Sequence, residues 1–544
     1  MQSVVLNVHR RLLIGEADGH GGAVLGIMTP MCWPVQLCWV SLALLVFGGC
    51  EQREPANVIR VLLGSAADSL DPRMASGAVG VRLSQLLAPP LCVVDDRLQP
   101  RWLLADELVS VDEVTMDVHL KDGTAVDADD VVFTFLSILD PAFGSPHRAR
   151  LEVIAEVVAR DARTVRFRLV RPHAPFVVDG LCAIGIVSRR SCSSNEVCRT
   201  HPAGAGPFTR VDDGSRPDRL LLQRRAGGEP GPDLDIRVVR DGSARLMGLL
   251  AGDIDVVMGD VAPWDVAPLE QAGLSVSETA GVGFSYLGIN TRTGLLADDR
   301  VRRALALAID TRQLVDGRLR GHGTRSSGLL PPGHWAKKAS VRPVDVDREA
   351  ARALLREAGV PAGARLRLLS STDRLRQSSA RAIAAQLAEV GLQVEVEVRD
   401  WSVVYERLKA GRFDLVLAKW TPVVEPDLLT TTVHSRSIPG SVEGVAAGAV
   451  GGGNRGAFKD ADVDRWLDEA RTTVDVDTRA RLYGLVEDRL QQRVPFVPLW
   501  CDDEIIATSS RVRSRDGVTP LKPWRTGSFL PLLDATLVPA GTAP

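Results

Sequence analysis

Cys50 closes the most conspicuous stretch of the chain. Residues 21–50 carry no charged side chain, an apolar run occupies 35–47, and Gly48 and Gly49 separate that run from the thiol. Thirteen apolar-run residues are short for a bilayer core of about 30 Å, so the run reads as the hydrophobic region of an export signal rather than a membrane span. Arg10 and Arg11 lie far upstream of it, and Met28 or Met31 is an alternative start. Cys32 and Cys38 leave with the leader. Of the other cysteines, Cys192 and Cys198 flank five residues of a polar loop and can close a small ring in an oxidising compartment. The alternative is unpaired thiols, and with Cys92, Cys182 and Cys501 the odd total leaves at least one free.

Catalytic and metal-binding signatures are absent. No phosphate-binding G-x-x-x-x-G-K-[ST], no H-E-x-x-H, no G-x-S-x-G and no C-x-x-C occurs, which argues against the nucleotide, zinc and nucleophile-elbow chemistries those spacings serve. Gly204-Ala205-Gly206 begins like a dinucleotide loop, but Pro207 and a missing third glycine spoil it. The nine histidines include no i,i+4 pair, and a net charge of −3 gives no basic footprint for nucleic acid. No cofactor, metal site or catalytic residue is read from these patterns, which weighs against an enzyme.

About 490 residues remain after the leader, too many for one core, so two or three domains follow. Residues 58–63 read as a strand running into the turn at 68–72. Residues 114–120 alternate and turn at Lys121-Asp122-Gly123, and 127–137 opens with three carboxylates that suit a helix N-terminus. Residues 165–169 alternate again. The second half is clearest: strand 365–370, helix 377–390 stopped by Gly391, strand 392–398, helix 401–410 ended by Gly411, and strand 413–418. That order predicts a parallel α/β layer, whose ligands gather at the carboxyl ends of its strands, where Lys419 and Trp420 stand. Residues 298–309 form an amphipathic helix and Asp310 caps the next. Residues 437–456 are glycine-rich and read as a mobile loop; 533–544 reads as a frayed tail.

Several landmarks, in order, resemble the family of extracytoplasmic solute-binding proteins for peptides, nickel and related ligands that serve ABC importers. They are Leu120–Gly123 with Ala128–Thr134, Pro202–Phe208, Leu250–Asp255, Leu287–Asn290 with Val301–Leu305 and Ala308–Asp310, and Gly411–Leu415 with Trp420, Asn454, Asp464 and Val494–Leu499. The leader is similar to a bacterial lipoprotein signal, with Cys50 as the lipidated N-terminus, although Phe47 stands where Leu is usual.

The resemblance implies an α/β, two-lobed periplasmic-binding-protein fold, type II and like the large peptide-binding proteins, with an extra subdomain in the first lobe. The expected boundaries are a leader at 1–49, a tether at 50–55, lobe I at 56–285 plus 495–530 with a subdomain inserted at about 91–184, lobe II at 286–494, and a tail at 531–544. Lobe closure would hold a peptide-like, opine, metal-chelate or other small ligand, for delivery by a monomer to ABC permease subunits in the membrane. Asp129, Asp130 and Gly123 serve capping and turning, Arg302 and Arg303 a solvated or structural face, and the 204–207 turn the start of a strand. Trp401 packs at a strand end.

For the ligand, Trp420 offers a flat apolar cleft wall. Peptide-binding relatives carry an Asp shortly after this Trp to pair with the α-ammonium; here Val423 stands near that place, with Glu425 the alternative acid. A buried ammonium without a partner is costly, so the resemblance points away from ordinary peptides with free N-termini. His434, with Ser435, resembles a cleft-side pair of relatives. Phe284 and Tyr286 line the cleft near the hinge, and Ala75 and Ser76 offer backbone groups to an extended ligand. The rivals are an envelope hydrolase on the same scaffold and a sensor or chaperone-like lipoprotein without an importer.

Overall fold

The computed structural model describes residues 57–192, 194–212, 218–259, 261–292, 294–420, 422–440 and 452–538. The leader, Cys50, the tether and 441–451 of the glycine-rich stretch lie outside these. Among the described residues no helix is long and apolar enough to cross a membrane.

Two unusually long strands organise the molecule. Ser275–Ile289 and Phe496–Thr508 pair antiparallel along nearly their whole length, from Ser275 opposite Thr508 to Gly288 opposite Phe496. At one end, Phe496–Thr508 continues through Val256–Met258 to Val58–Leu63, Asp233–Val238, Arg219–Arg224 and Phe208–Val211; this half of the sheet is the first lobe. At the other end, Ser275–Ile289 continues through Leu415–Trp420 to Arg365–Ser371 and Gln393–Arg399, the second lobe. The shared pair therefore crosses from one lobe to the other. Its register breaks between Ala280 and Gly283, and a bulge of this kind bends and twists the strand that carries it. Gly281 sits in that break, where a Cβ would come within 2.4 Å of the Asp502 carbonyl oxygen.

The second lobe follows its periodicity. Arg365–Ser371 pairs parallel with both Gln393–Arg399 and Leu415–Trp420, and helices Arg374–Ala388 and Trp401–Lys409 make the connections. Gly391 and Gly411 take φ of 93° and 65° after those helices, a backbone that glycine adopts without steric penalty. One sheet face packs on Leu305 and Ile383 and the opposite face on Tyr483 and Phe458, all buried.

A four-stranded antiparallel sheet, Ala105–Ser110, Thr115–Leu120, Thr164–Leu169 and Ile154–Ala159, forms an inserted subdomain with its own core around Phe135 and Phe167. Its helix Ala128–Leu139 starts as the carboxylates foretell: Asp127 accepts from the Asp130 amide and Asp130 accepts from the Asp127 amide. Cys92 and Cys182 form a disulfide at the root of this subdomain, Cys192 bonds to Cys198, and Cys501 is left free and buried.

The C-terminal reading needs correction. Ala535–Leu537 pairs with Val512–Ser514, so the described part of the expected frayed tail, 533–538, is not frayed. Strands of three residues carry too little alternation to read in advance. Arg302 is buried, with its guanidinium donating to the carbonyls of Leu296, Ala297, Arg493 and Val494, a structural role. Trp401 remains 38 % exposed under the Arg376 guanidinium instead of packing away at its strand end.

Candidate functional site

The carboxyl ends of the parallel strands, at Ser371, Arg399 and Trp420, face the first lobe. Arg374, which opens the helix after Ser371, lies 4.8 Å over the ring of Trp264 from the first lobe. The inserted subdomain touches the second lobe where the Ala174 amide donates to the Arg471 carbonyl at 2.8 Å. Arg525 ties the crossing together, with its backbone N–H on Asp96, Nε on the Ala280 carbonyl and a terminal nitrogen on the Pro332 carbonyl.

Trp420 is half-buried at this edge and walls a small cavity of about 40 Å³. Phe284, paired opposite Trp420, has no exposed surface and stacks on Tyr286 with ring centroids 5.4 Å apart. Phe496 packs edge-on against both. Leu329, Phe458 and Asn454 complete the wall. Asn454 brings no free polarity: its amide donates to the carbonyls of Val433, His434 and Phe458 and its oxygen accepts from the Phe458 amide. The cavity is thus lined mainly by aromatic and apolar side chains.

The acids after Trp420 turn inward. Val423 has no exposed surface and its amide donates to the Val282 carbonyl. Glu425, read as a ligand acid, is 5 % exposed and holds Arg479 at 2.5 Å. Asp427 holds Arg471 at 3.2 Å and accepts from the Thr430 hydroxyl. Burial raises the Glu425 pKa against the pull of Arg479, and pushes Asp427 up to about 6. Both are paired within the second lobe, and neither is free for an ammonium group.

His434 and the first-lobe turn also depart from expectation. His434 is 5 % exposed, lies 3.4 Å from both Asp464 and Asp468, and caps the Arg436 amide. The Ala75 carbonyl accepts from His147 Nε2, while the amide and hydroxyl of Ser76 both donate to Asp68. Burial pulls His147 down to about 4, so its imidazole is neutral at pH 7. These groups are engaged within the protein. Of the residues singled out from sequence, the structure gathers Trp420, Tyr286 and Phe284 at one cavity, with Phe284 as its sealed floor; Ala75, Ser76, His434 and Glu425 lie outside it.

Sequence reasoning passed over Arg455. Its guanidinium stands 4.8 Å over Tyr405 and 5.6 Å over Trp420, at the flank of the cavity. Only its neighbours in a glycine-rich stretch, Asn454 and Gly456, could have drawn attention to it.

Comparison with known proteins agrees with this architecture. The profile of the bacterial extracellular solute-binding proteins, family 5 Middle, matches residues 100–436. The di/tripeptide-binding protein 2 of Pseudomonas aeruginosa is 28 % identical over 503 residues, covering 84 % of this chain and 92 % of that protein. The substrate-binding protein CtaP of Listeria monocytogenes superposes with a TM-score of 0.77 at 21 % identity, over 89 % of this chain and 100 % of CtaP. The PBP AgaA of A. tumefacien R10, solved with agropinic acid, gives a TM-score of 0.70 at 23 % identity, over 89 % of this chain and 99 % of AgaA. The fold is the mixed α/β periplasmic-binding-protein fold.

Proposed function

The chain belongs to the bacterial extracellular solute-binding proteins of family 5, and from that premise we propose that it captures a small organic solute between its two lobes. It is a binding protein of the ABC-importer type, not an enzyme. The observation that carries the capture reading is the aromatic cavity walled by Trp420, together with the contact between the lobes that Arg374 makes with Trp264. The crossing pair, with its register break at 280–283, supplies a hinge. A ligand that contacts both lobes favours the closed form by its differential affinity for it.

Delivery is to the permease subunits of an importer, and Cys50 tethers the protein to the membrane by a lipid. The uncharged stretch ending in Gly48-Gly49-Cys50 supports that tether. Cys50→Ser releases the protein from the membrane fraction; a variant that stays bound, or a native N-terminus without acyl mass, removes the anchor from the proposal.

The capture reading is tested by small-angle scattering and thermal unfolding of the purified protein against peptides, opines, sugars and metal chelates. A ligand at a hundredfold excess over its Kd adds about 2.7 kcal/mol of apparent stability and contracts the particle. Absence of both responses across the panel overturns the reading.

A further inference from the structure

Three arginines of the second lobe lie against aromatic rings. Arg374 stacks on Trp264, Arg376 on Trp401, and Arg455 on both Tyr405 and Trp420. Among the described residues none of the three makes an ion pair. Arg376 at least donates to Ser371 Oγ at 3.1 Å. Arg455 has less: its Nε is buried without a hydrogen-bond partner. A guanidinium held on two ring faces is fixed in place, with its edge left to donate. A desolvated donor without a partner is costly, and an anion from outside the protein would relieve that cost.

We propose that the ligand carries a carboxylate that pairs with Arg455, next to an apolar group that enters the cavity behind Trp420. The proposal rests on the reading that the ligand binds at Trp420, and it narrows that reading to amphipathic organic anions. The cavity wall admits the apolar part because Phe284, Tyr286, Phe496 and Leu329 line it while Asn454 spends its amide on backbone carbonyls. The loop after Trp420 does not ask for a positive charge, since Val423 is apolar and Glu425 and Asp427 are bound to arginines. A free ammonium group is therefore no requirement at this position.

The test is calorimetric titration of the purified full chain with three probes: N-acetyl-L-phenylalanine, its amide, and N-acetylglycine. The first has the carboxylate and the ring, the second only the ring, the third only the carboxylate. The expected order places N-acetyl-L-phenylalanine at least tenfold tighter than either, as loss of a charge-assisted hydrogen bond typically costs ten- to hundredfold in affinity, roughly. Arg455→Gln brings the acid down to the affinity of its amide, and Arg455→Lys restores part of the difference. Equal affinities for acid and amide in the wild-type protein overturn the proposal without any variant, as does an acid-to-amide ratio that Arg455→Gln leaves unchanged. If none of the probes binds while another solute closes the lobes, the anion proposal falls and the capture reading stands. If no solute of any class binds, both fall.

Discussion

Two arginines, one in each lobe, lie on pairs of aromatic rings, and their difference separates structure from site. Arg73 in the first lobe stands 5.3 Å over Phe133 and 4.6 Å over Phe143, and is 1 % exposed. Its Nε and a terminal nitrogen reach the Asp71 carboxylate, the latter at 2.8 Å, and its other terminal nitrogen donates to Ser137. Arg455 has the same stacking and, among the described residues, no carboxylate. Arg73 pins the inserted helix to the first lobe with each guanidinium nitrogen bonded, whereas the Nε of Arg455 is buried without a partner. A stacked guanidinium is thus not evidence of binding until its counter-ion has been looked for.

The sharpest break in that comparison is to make Arg73 resemble Arg455. Asp71→Ala leaves a fully buried guanidinium unpaired and should lower the unfolding free energy by about 3–5 kcal/mol, measured by urea denaturation. Ligand affinity of the fraction that remains folded should hardly move. An Asp71 variant of wild-type stability would show that the first-lobe pair is dispensable and the contrast empty. Trp420→Ala works on the other member. Removing a half-buried wall residue should cost about 2 kcal/mol of stability and weaken ligand binding about tenfold or more, because the same ring faces the cavity and supports Arg455.

The hinge gives a smaller effect that sharpens the role of the crossing strands. Gly281→Ala places a methyl against the Asp502 carbonyl, and the strands must part to admit it. A cost of about 1–3 kcal/mol is expected, with a shift in the scattering profile of the unliganded protein towards a different lobe angle. Unchanged scattering and stability would mean that the register break bears no load.

How much of this was legible beforehand depended on whether a signal was local. The parallel layer of the second lobe could be read because alternation, amphipathic spacing and the stopping glycines Gly391 and Gly411 all act within a few residues. Trp420 was legible for the same reason, as the end of one such strand. The internal partners of Glu425 and His434 were not legible because they are distant in sequence: Arg479 lies 54 residues beyond Glu425, and Asp464 thirty beyond His434. The partner of the Ala75 carbonyl, His147, is distant too, whereas Asp68, which takes the Ser76 hydroxyl, lies only eight residues away. Arg455 escaped notice because the stretch around it has no period, and its aromatic partners come from two other elements.

The comparison extends to an acid on the crossing itself. Asp503 is half-buried and makes no ion pair among the described residues. Burial pushes its pKa up to about 6; Glu278, Asp502 and Glu504 push the same way, and His322, bound to Glu278 at 2.7 Å, pulls against them. An unfolded Asp titrates near 3.9, roughly. Between about pH 4 and 6 the folded chain therefore keeps a proton that the unfolded chain has released, so the stability from this group is complete below about pH 4 and is lost as pH rises through 6. Asp503→Asn removes the penalty. Discounted for partial exposure, the variant should exceed wild type by about 1 kcal/mol at pH 7.5 and by little at pH 4.5, in urea unfolding at the two pH values. A variant less stable than wild type at pH 7.5 would mean that Asp503, unlike Arg455, has a partner in solution, and that an uncompensated charge in this molecule does not by itself mark a place where something else is meant to bind.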